Sequence, residues 1–363
     1  MSRVARIRAP WNVPVVRTLR TAFLVVAVGL PAYAVASRWH EVSGHLHQIG
    51  WGRAALCAPP MLAGLFCGMR AWRAILGGLG SDLPARPAAR VYFVGQLGKY
   101  VPGAVWAVLA QMEFARDHDV PRRRSAAAFL IAVVVSLATG LIVAAATVPF
   151  VDAGRHPEVW WLLVPVPVLA AMLVPRVLWS GLRRVPVTRL SATLPPVLPG
   201  RAMAVAAMWS SVGWLSYGLH VAILTAGFKG HGVGTLFAAC AGGYALAWAA
   251  GLIAFVLPAG AGARDVALVL ALSGVVATSP AIAVAVVSRA VTTVCDLLLA
   301  FAASVFAPRL GGRSDQLLVE EVGRHVPGNE EAGAERQDEQ PSGKLAKQRH
   351  ANDDEGLRPV RAR

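Results

Sequence analysis

Long apolar segments alternate with short polar segments along most of the chain. Seven segments approach or exceed the roughly 20 predominantly apolar residues of a membrane-spanning helix. They are 21–37, 54–75, 126–150, 160–178, 202–226, 236–257 and 281–306. Two further apolar stretches, 91–114 and 266–277, are interrupted or short. This pattern predicts an all-α, polytopic membrane protein with about seven to eight transmembrane helices and one or two re-entrant or broken segments.

The pattern changes after residue 307. Residues 308–363 are polar, low in aromatic side chains and rich in Glu, Gly, Gln and Arg, so they cannot bury enough apolar area to order themselves. We therefore divide the chain into a basic N-terminus (1–20), a transmembrane domain (21–307) and a disordered polar tail (308–363). The basic start, the first apolar run and Ala32-Tyr-Ala34 also fit a cleaved signal peptide, but we favour a retained first span.

Composition and charge agree with a membrane protein. Of the 363 residues, 56% are hydrophobic and 15% are charged, against roughly 45–50% and 25% in soluble domains. Residues 1–307 contain 25 Lys/Arg and 9 Asp/Glu, whereas the remaining residues contain 10 and 11. Basic charge on the apolar part fits the bias of cytoplasmic loops better than nucleic-acid binding. We expect a multi-pass plasma-membrane protein with a cytoplasmic N-terminus; the side of the tail depends on whether 266–277 crosses the membrane.

The interrupted segment 91–114 lies between two basic connections. Residues 70–90 and 116–124 each carry four arginines, so both connections are predicted on the cytoplasmic side. A segment between them must enter and leave on the same side. Pro102 and Gly103 provide a turn at its centre, and it places polar side chains at membrane depth: Gln96, Lys99, Tyr100 and Gln111. A re-entrant hairpin is the simplest account; the alternative is an interfacial amphipathic helix with Lys99 extended to the headgroups.

The second interrupted region runs from residue 255 to residue 277. Pro258, Gly260 and Gly262 break the helix, and Arg264 and Asp265 follow at once. Asp265 falls in the first turn of a short helix, where the helix dipole favours a carboxylate. Ionisable residues beside a broken helix often mark transporter sites. The alternative is a cytoplasmic loop with an ordinary helix cap.

Arg289 and Asp296 lie inside the last apolar segment, seven positions apart and on one helix face. Ionisable residues in a membrane usually point toward a partner or a cavity. Arg289 has Asp265 as a candidate partner, and Asp296 has Lys99 or Arg264. An alternative is that these residues only hold helices together. The candidate substrate-binding residues are Gln96, Lys99, Tyr100, Gln111, Arg264, Asp265, Arg289 and Asp296, with structural turns at Pro102, Gly103, Pro258, Gly260 and Gly262.

Two motifs together resemble the transmembrane domain of the lysylphosphatidylglycerol synthase family. They are Gly95-Gln-Leu-Gly-Lys-Tyr-Val-Pro-Gly-Ala-Val-Trp106 and Leu257-Pro-Ala-Gly-Ala-Gly-Ala-Arg-Asp265, followed by the helix with Arg289 and Asp296. The likeness covers about residues 22–306. It implies a flippase-like membrane module that handles or translocates a phospholipid or polyprenol-linked glycolipid. The chain has no room for the family's soluble acyltransferase domain, so we do not expect it to aminoacylate lipids alone.

Two other functions stay open at this stage. One is a membrane-embedded glycosyltransferase, or an accessory subunit of a polyprenyl-phosphate-sugar pathway, with Asp117 and Asp119 as candidate acidic residues. The other is a non-catalytic scaffold.

An enzyme is the less favoured class, and no cofactor or nucleic-acid partner is expected. The four cysteines lack metal-ligand spacing, so no metal site is predicted. We expect a membrane lipid as substrate, with a membrane protein or a separate synthase or glycosyltransferase as candidate partner.

Overall fold

A computed structural model describes residues 39–101, 105–147, 150, 164–184, 198–228, 232–253, 260 and 262–306. Every regular element in these residues is helical. The α-helices are α1 (Trp39–Leu56), α2 (Ala58–Gly78), α3 (Ala85–Gln96), α4 (Val105–Arg116), α5 (Arg122–Thr147), α6 (Val166–Met172), α7 (Pro175–Arg184), α8 (Gly200–Thr225), α9 (Val233–Ile253), α10 (Ala263–Leu272) and α11 (Thr278–Phe306). A 3₁₀ turn, Leu97–Tyr100, follows α3.

Several predictions from the sequence lie outside these residues. They concern the N-terminus and first span (1–37), the tail (308–363) and the turn residues Pro102, Gly103 and Pro258.

Three of the described helices are long and apolar enough to cross a membrane: α5, α9 and α11. Residues 47–56 of α1 and the whole of α2 form a fourth candidate, a pair bent by 45°. The all-helical membrane architecture is therefore confirmed. The described residues contain three or four candidate spans, and the count of seven to eight stays a prediction. The helix α8 has 26 residues but carries Ser, Tyr and His side chains, and it is not among the candidates.

The first interrupted segment folds as a helical hairpin. The helices α3 and α4 pack side by side, and glycines let their backbones meet: a Cβ added at Gly98 would lie 2.6 Å from the backbone nitrogen of Ala107. The outer ends of the hairpin share one side of the molecule with the end of α2 and the start of α5. There, Arg122 contacts Glu113 at 2.6 Å, and Arg124 donates to the carbonyl of Gly80 at 2.9 Å. The segment thus enters and leaves on the same side.

A second hairpin forms from α9 and α10. Gly251 of α9 faces Arg264 near the start of α10, and Gly243 faces Ala271 near its end, so the two helices run antiparallel. At 1.5 Å per residue, the ten residues of α10 span about 15 Å, roughly half the hydrocarbon thickness of a bilayer. The chain then turns into α11, which packs against both hairpins.

Two buried apolar clusters hold these elements together. The first joins α1, α8, α9, α10 and α11, and the second joins α2, α3, α5 and α8. Large apolar side chains also face outward, among them Phe301, Ile253 and Leu270, which are 70%, 81% and 67% exposed. In water such a surface would be costly, whereas hydrocarbon tails cover it.

Candidate functional site

A cavity of about 560 Å³ lies between the α3–α4 hairpin and helices α2, α5, α8, α9, α10 and α11. Most of its wall is apolar or aromatic. The residues with charged or amide side chains among those that line it are Gln96, Lys99, Arg264, Arg289 and Asp296. Tyr100 and Gly260 line it as well. Polar groups from both interrupted regions and from α11 therefore meet at a single cavity.

The 3₁₀ turn places two donors on one carboxylate. Lys99 Nζ lies 2.7 Å from Asp296 Oδ2, and the Tyr100 hydroxyl donates to the same oxygen at 2.6 Å. Asp296 is only 4% exposed, whereas Lys99 is 28% exposed. A carboxylate this buried needs such partners, because an unpaired charge in a low-dielectric interior is costly. The contact fastens the turn of the hairpin to α11.

Arg264 is held by an aromatic side chain. Its guanidinium donates to the hydroxyl of Tyr244 and lies over the ring of that residue, 4.6 Å from the ring centroid. Two glycines clear its path: a Cβ on Gly251 would lie 3.1 Å from the Arg264 Cβ, and a Cβ on Gly260 would lie 2.7 Å from the Gly251 Cα. Gly260 also has φ +66°, which favours glycine. The close approach of the two backbones thus lets the Arg264 side chain pack against α9 and contact Tyr244.

Arg289 pairs with Asp265. Their side chains approach at 3.8 Å and are 21% and 29% exposed. Asp265 sits in the first turn of α10 and accepts from the backbone N–H of Gly262 at 3.2 Å, so it also caps that helix. Gly262 has φ +82°, again in the left-handed region. The helix cap considered in the sequence analysis is therefore present. Asp265 itself does not line the cavity; it contacts Arg289, which does.

Two ion pairs considered from the sequence are present, Lys99 with Asp296 and Arg289 with Asp265. Gln111 has a different position. It is fully buried against Gly95 between α3 and α4, does not line the cavity, and its amide has no hydrogen-bond partner among the described residues.

Aromatic side chains that the sequence analysis did not single out form much of the wall. Trp214 and Tyr217 of α8 and Trp248 of α9 line the cavity. Their rings are in mutual contact: Trp214 lies 5.7 Å from Tyr217 and 5.4 Å from Trp248, centroid to centroid. Tyr217 in turn lies 5.1 Å from Tyr244. Their spacing could have indicated this arrangement: Trp214 and Tyr217 are three positions apart, and Tyr244 and Trp248 are four, so each pair shares one face of its helix.

A small hydroxyl cluster joins α5 to α8 at the cavity wall. Thr139 and Ser210 are 2.8 Å apart, and the Trp214 indole N–H donates to the Ser136 carbonyl at 3.1 Å. Ser136 and Ser210 both line the cavity. These hydroxyls satisfy one another and the indole, and they give the otherwise apolar side of the cavity a few polar atoms.

The acidic residues considered for a glycosyltransferase lie elsewhere. Asp117 and Asp119 fall in the short connection between α4 and α5 and do not line the cavity. Within the described part of the chain, no group of three or more His, Cys, Asp or Glu side chains is placed to hold a metal ion.

Comparison with known proteins identifies a family. The family described as the lysylphosphatidylglycerol synthase TM region matches residues 14–300 of the sequence. A comparison with curated proteins finds no match. The match covers every element that forms the cavity, up to residue 300 in α11.

Proposed function

Because the chain belongs to the family of the lysylphosphatidylglycerol synthase transmembrane region, and is therefore a membrane protein involved in lipid handling, we propose that it translocates lipids between leaflets. In this proposal the cavity receives the polar headgroup while the acyl or prenyl chains stay in the bilayer. The observation that carries it is the convergence of Lys99, Arg264 and Arg289 on one cavity inside a largely apolar helical protein.

The charge around the cavity supports a phosphate-bearing headgroup. Three cationic side chains line the cavity against a single carboxylate, Asp296. Lysine offers phosphate a compact charge, and arginine offers a planar fork that donates two parallel hydrogen bonds. Gln96 and Tyr100 add neutral hydrogen-bonding groups at the same wall.

The two hairpins suggest how a headgroup gains access. In our proposal each hairpin lies at membrane depth, and each contributes cavity residues: Lys99 and Tyr100 from the first, Gly260 and Arg264 from the second. Irregular backbone at that depth is tolerated where it lines a wet cavity or is buried in protein. In our proposal the 3₁₀ turn is the movable part, because few contacts besides those to Asp296 fasten it to α11.

We extend the proposal to the arrangement in the membrane. Seven to eight spans, a plasma-membrane location and a cytoplasmic N-terminus are the arrangement we favour. Its support is the group of basic side chains at one side of the molecule, Arg86, Arg90, Arg116 and Arg122–Arg124, near the outer ends of the first hairpin.

Headgroup-labelled lipids in proteoliposomes test the translocation. We expect Lys99→Ala and Arg264→Ala proteins to move labelled phospholipid between leaflets at least about tenfold more slowly than the parent protein, since each loses a charge-assisted contact. Arg122→Ala is the matched control, because it removes a cation that is exposed and outside the cavity. If both cavity variants matched the parent in rate, the proposal would fail.

A further inference from the structure

The three cations of the cavity are not equally neutralised. Lys99 lies 2.7 Å from the Asp296 carboxylate, and Arg289 approaches Asp265 at 3.8 Å. Among the described residues, Arg264 makes its hydrogen bond and its ring contact with Tyr244, which is uncharged. Within the described part of the chain, Arg264 is thus the cavity cation with no carboxylate at ion-pair distance, and Asp265 and Asp296 act on its charge from farther away.

Arg264 is also held in place. The guanidinium lies over the Tyr244 ring, the Tyr244 hydroxyl accepts from one of its N–H groups, and Gly251 leaves room for the aliphatic part of the side chain. A guanidinium carries five N–H donors, so most of them remain for a ligand. A guanidinium held at a cavity wall, with no ion-pair partner among the described residues, is suited to recognising an anion.

Much of the remaining lining of the cavity is uncharged. Trp214, Tyr217 and Trp248 present aromatic surface, and Ser136 and Ser210 present hydroxyl oxygens. Aromatic faces attract ammonium groups when no competing positive charge is near. Lys99, Arg264 and Arg289 line the cavity with Asp296, and Asp265 pairs with Arg289 just outside the lining, so the group carries one net positive charge. A cationic headgroup would therefore meet net repulsion despite the aromatic wall.

We propose that the cavity selects lipids with net negative headgroups, a phosphate attached to an uncharged polar group, and that it rejects headgroups bearing an added amine cation. Arg264 is the specificity-determining residue that meets the phosphate, and Tyr244 is the residue that positions it. This inference rests on the proposed lipid-handling function and names its substrate class.

Binding of short-chain lipids to the purified full-length chain in a neutral detergent tests the selection. The quenching of tryptophan fluorescence is a suitable signal, because Trp214 and Trp248 line the cavity. Three probes share their acyl chains and differ in headgroup charge: dihexanoyl phosphatidylglycerol, its lysyl ester and dihexanoyl phosphatidylcholine. We expect the anionic phosphatidylglycerol to bind on the order of tenfold or more tightly than the cationic lysyl ester, with phosphatidylcholine between them.

Variants assign the preference to Arg264. Arg264→Gln should reduce the ratio of the affinities for phosphatidylglycerol and its lysyl ester to within about threefold. Arg264→Lys should still bind the anionic lipid more tightly, because the positive charge remains. Arg70→Gln is the matched control: Arg70 also lies over an aromatic ring, 5.0 Å from the centroid of Trp209, but it does not line the cavity. Tyr244→Phe keeps the ring and removes the acceptor, so the preference should fall while the unfolding temperature stays near that of the parent.

The outcomes separate the two proposals. Equal or tighter binding of the cationic lysyl ester would overturn the charge selection and leave lipid handling intact. An anionic preference that survives in Arg264→Gln would overturn the role of Arg264. If none of the three lipids bound, both the selection and the proposed function would be refuted. Arg264→Gln can also misfold. Elution of this variant as a single species in size-exclusion chromatography shows that it is folded, and the Arg264→Lys protein tests the charge independently.

Discussion

Asp296 offers the sharpest test of how the first hairpin is held. The Asp296→Asn substitution keeps the size of the side chain and removes its charge, so the Tyr100 hydroxyl can still donate to the amide oxygen. Lys99 then faces a neutral group at 2.7 Å. We expect the protein to lose stability and the 3₁₀ turn to lose its fixed position on α11.

The magnitude follows from burial and distance. At 2.7 Å and an effective dielectric constant of about 20, the gross attraction between Lys99 and Asp296 is about 6 kcal/mol, and desolvation of the two ions offsets much of it. Removing one partner of a buried pair costs roughly 3–5 kcal/mol. Because Lys99 is 28% exposed and can turn toward the cavity, we expect a loss of about 2–3 kcal/mol.

Unfolding in mixed micelles, followed by tryptophan fluorescence, measures this loss. The control is Glu113→Gln, which breaks the contact of Arg122 with Glu113 at a similar 2.6 Å, but between side chains that are 52% and 59% exposed. Water screens such a pair, so its removal should cost far less. If Asp296→Asn were no more destabilising than Glu113→Gln, the contact would not be what fastens the hairpin, and our account of the turn would be refuted.

Two further substitutions test the packing around the site. Gly260→Ala forces an alanine into φ +66° and places its Cβ 2.7 Å from the Gly251 Cα. We expect the unfolding free energy to fall by about 1–3 kcal/mol and lipid binding to weaken, as measured by the same unfolding and fluorescence assays. Unchanged values for both would contradict the close approach of the two segments. Gln111→Met removes a fully buried amide that has no hydrogen-bond partner among the described residues. Such a group carries a desolvation cost of about 1–3 kcal/mol, so the unfolding free energy should rise or stay equal. A clear fall would show that the amide has a hydrogen-bond partner in the folded protein.

The charged contacts were the most predictable part of the site. Charged residues are rare in the apolar segments, so each has few candidate partners, and an unpaired charge there is costly. The sequence therefore left Asp265 as the candidate partner of Arg289 and Lys99 or Arg264 as that of Asp296, and the pairs present are Arg289 with Asp265 and Lys99 with Asp296. The hairpin was predictable for a related reason, since two basic connections cannot flank a single span.

The aromatic wall was not predictable, because neither α8 nor α9 has a distinct apolar face along its sequence. Where every face of a helix is apolar, periodicity does not reveal which face points inward. The inward direction of Trp214, Tyr217 and Trp248 is set by how α8 and α9 pack on their neighbours. Tyr244 was missed for the same reason, because no pattern along the chain indicates that Arg264 would contact it from the next helix.

Gln111 shows the opposite difficulty. Its polarity at membrane depth made it a candidate for substrate binding, but polarity alone does not specify direction. Gly95 of α3 and Gly98 of the 3₁₀ turn bring this part of the hairpin so close to α4 that the amide is enclosed against Gly95 and kept from the cavity. The direction of the Gln111 side chain therefore depends on the distance between the backbones of α3 and α4, which the sequence does not specify.

Photocrosslinking of a lipid headgroup tests the central claim, that the cavity receives a headgroup, most directly. The probe is an anionic phospholipid with a photoreactive group on its headgroup, reconstituted with the full chain and mapped by mass spectrometry of the labelled peptides. Our account predicts labels at cavity residues such as Tyr217 and Trp248, reduced in the Arg264→Gln protein. Labels confined to outward-facing side chains such as Phe301 and Leu270, unaffected by that substitution, would contradict it.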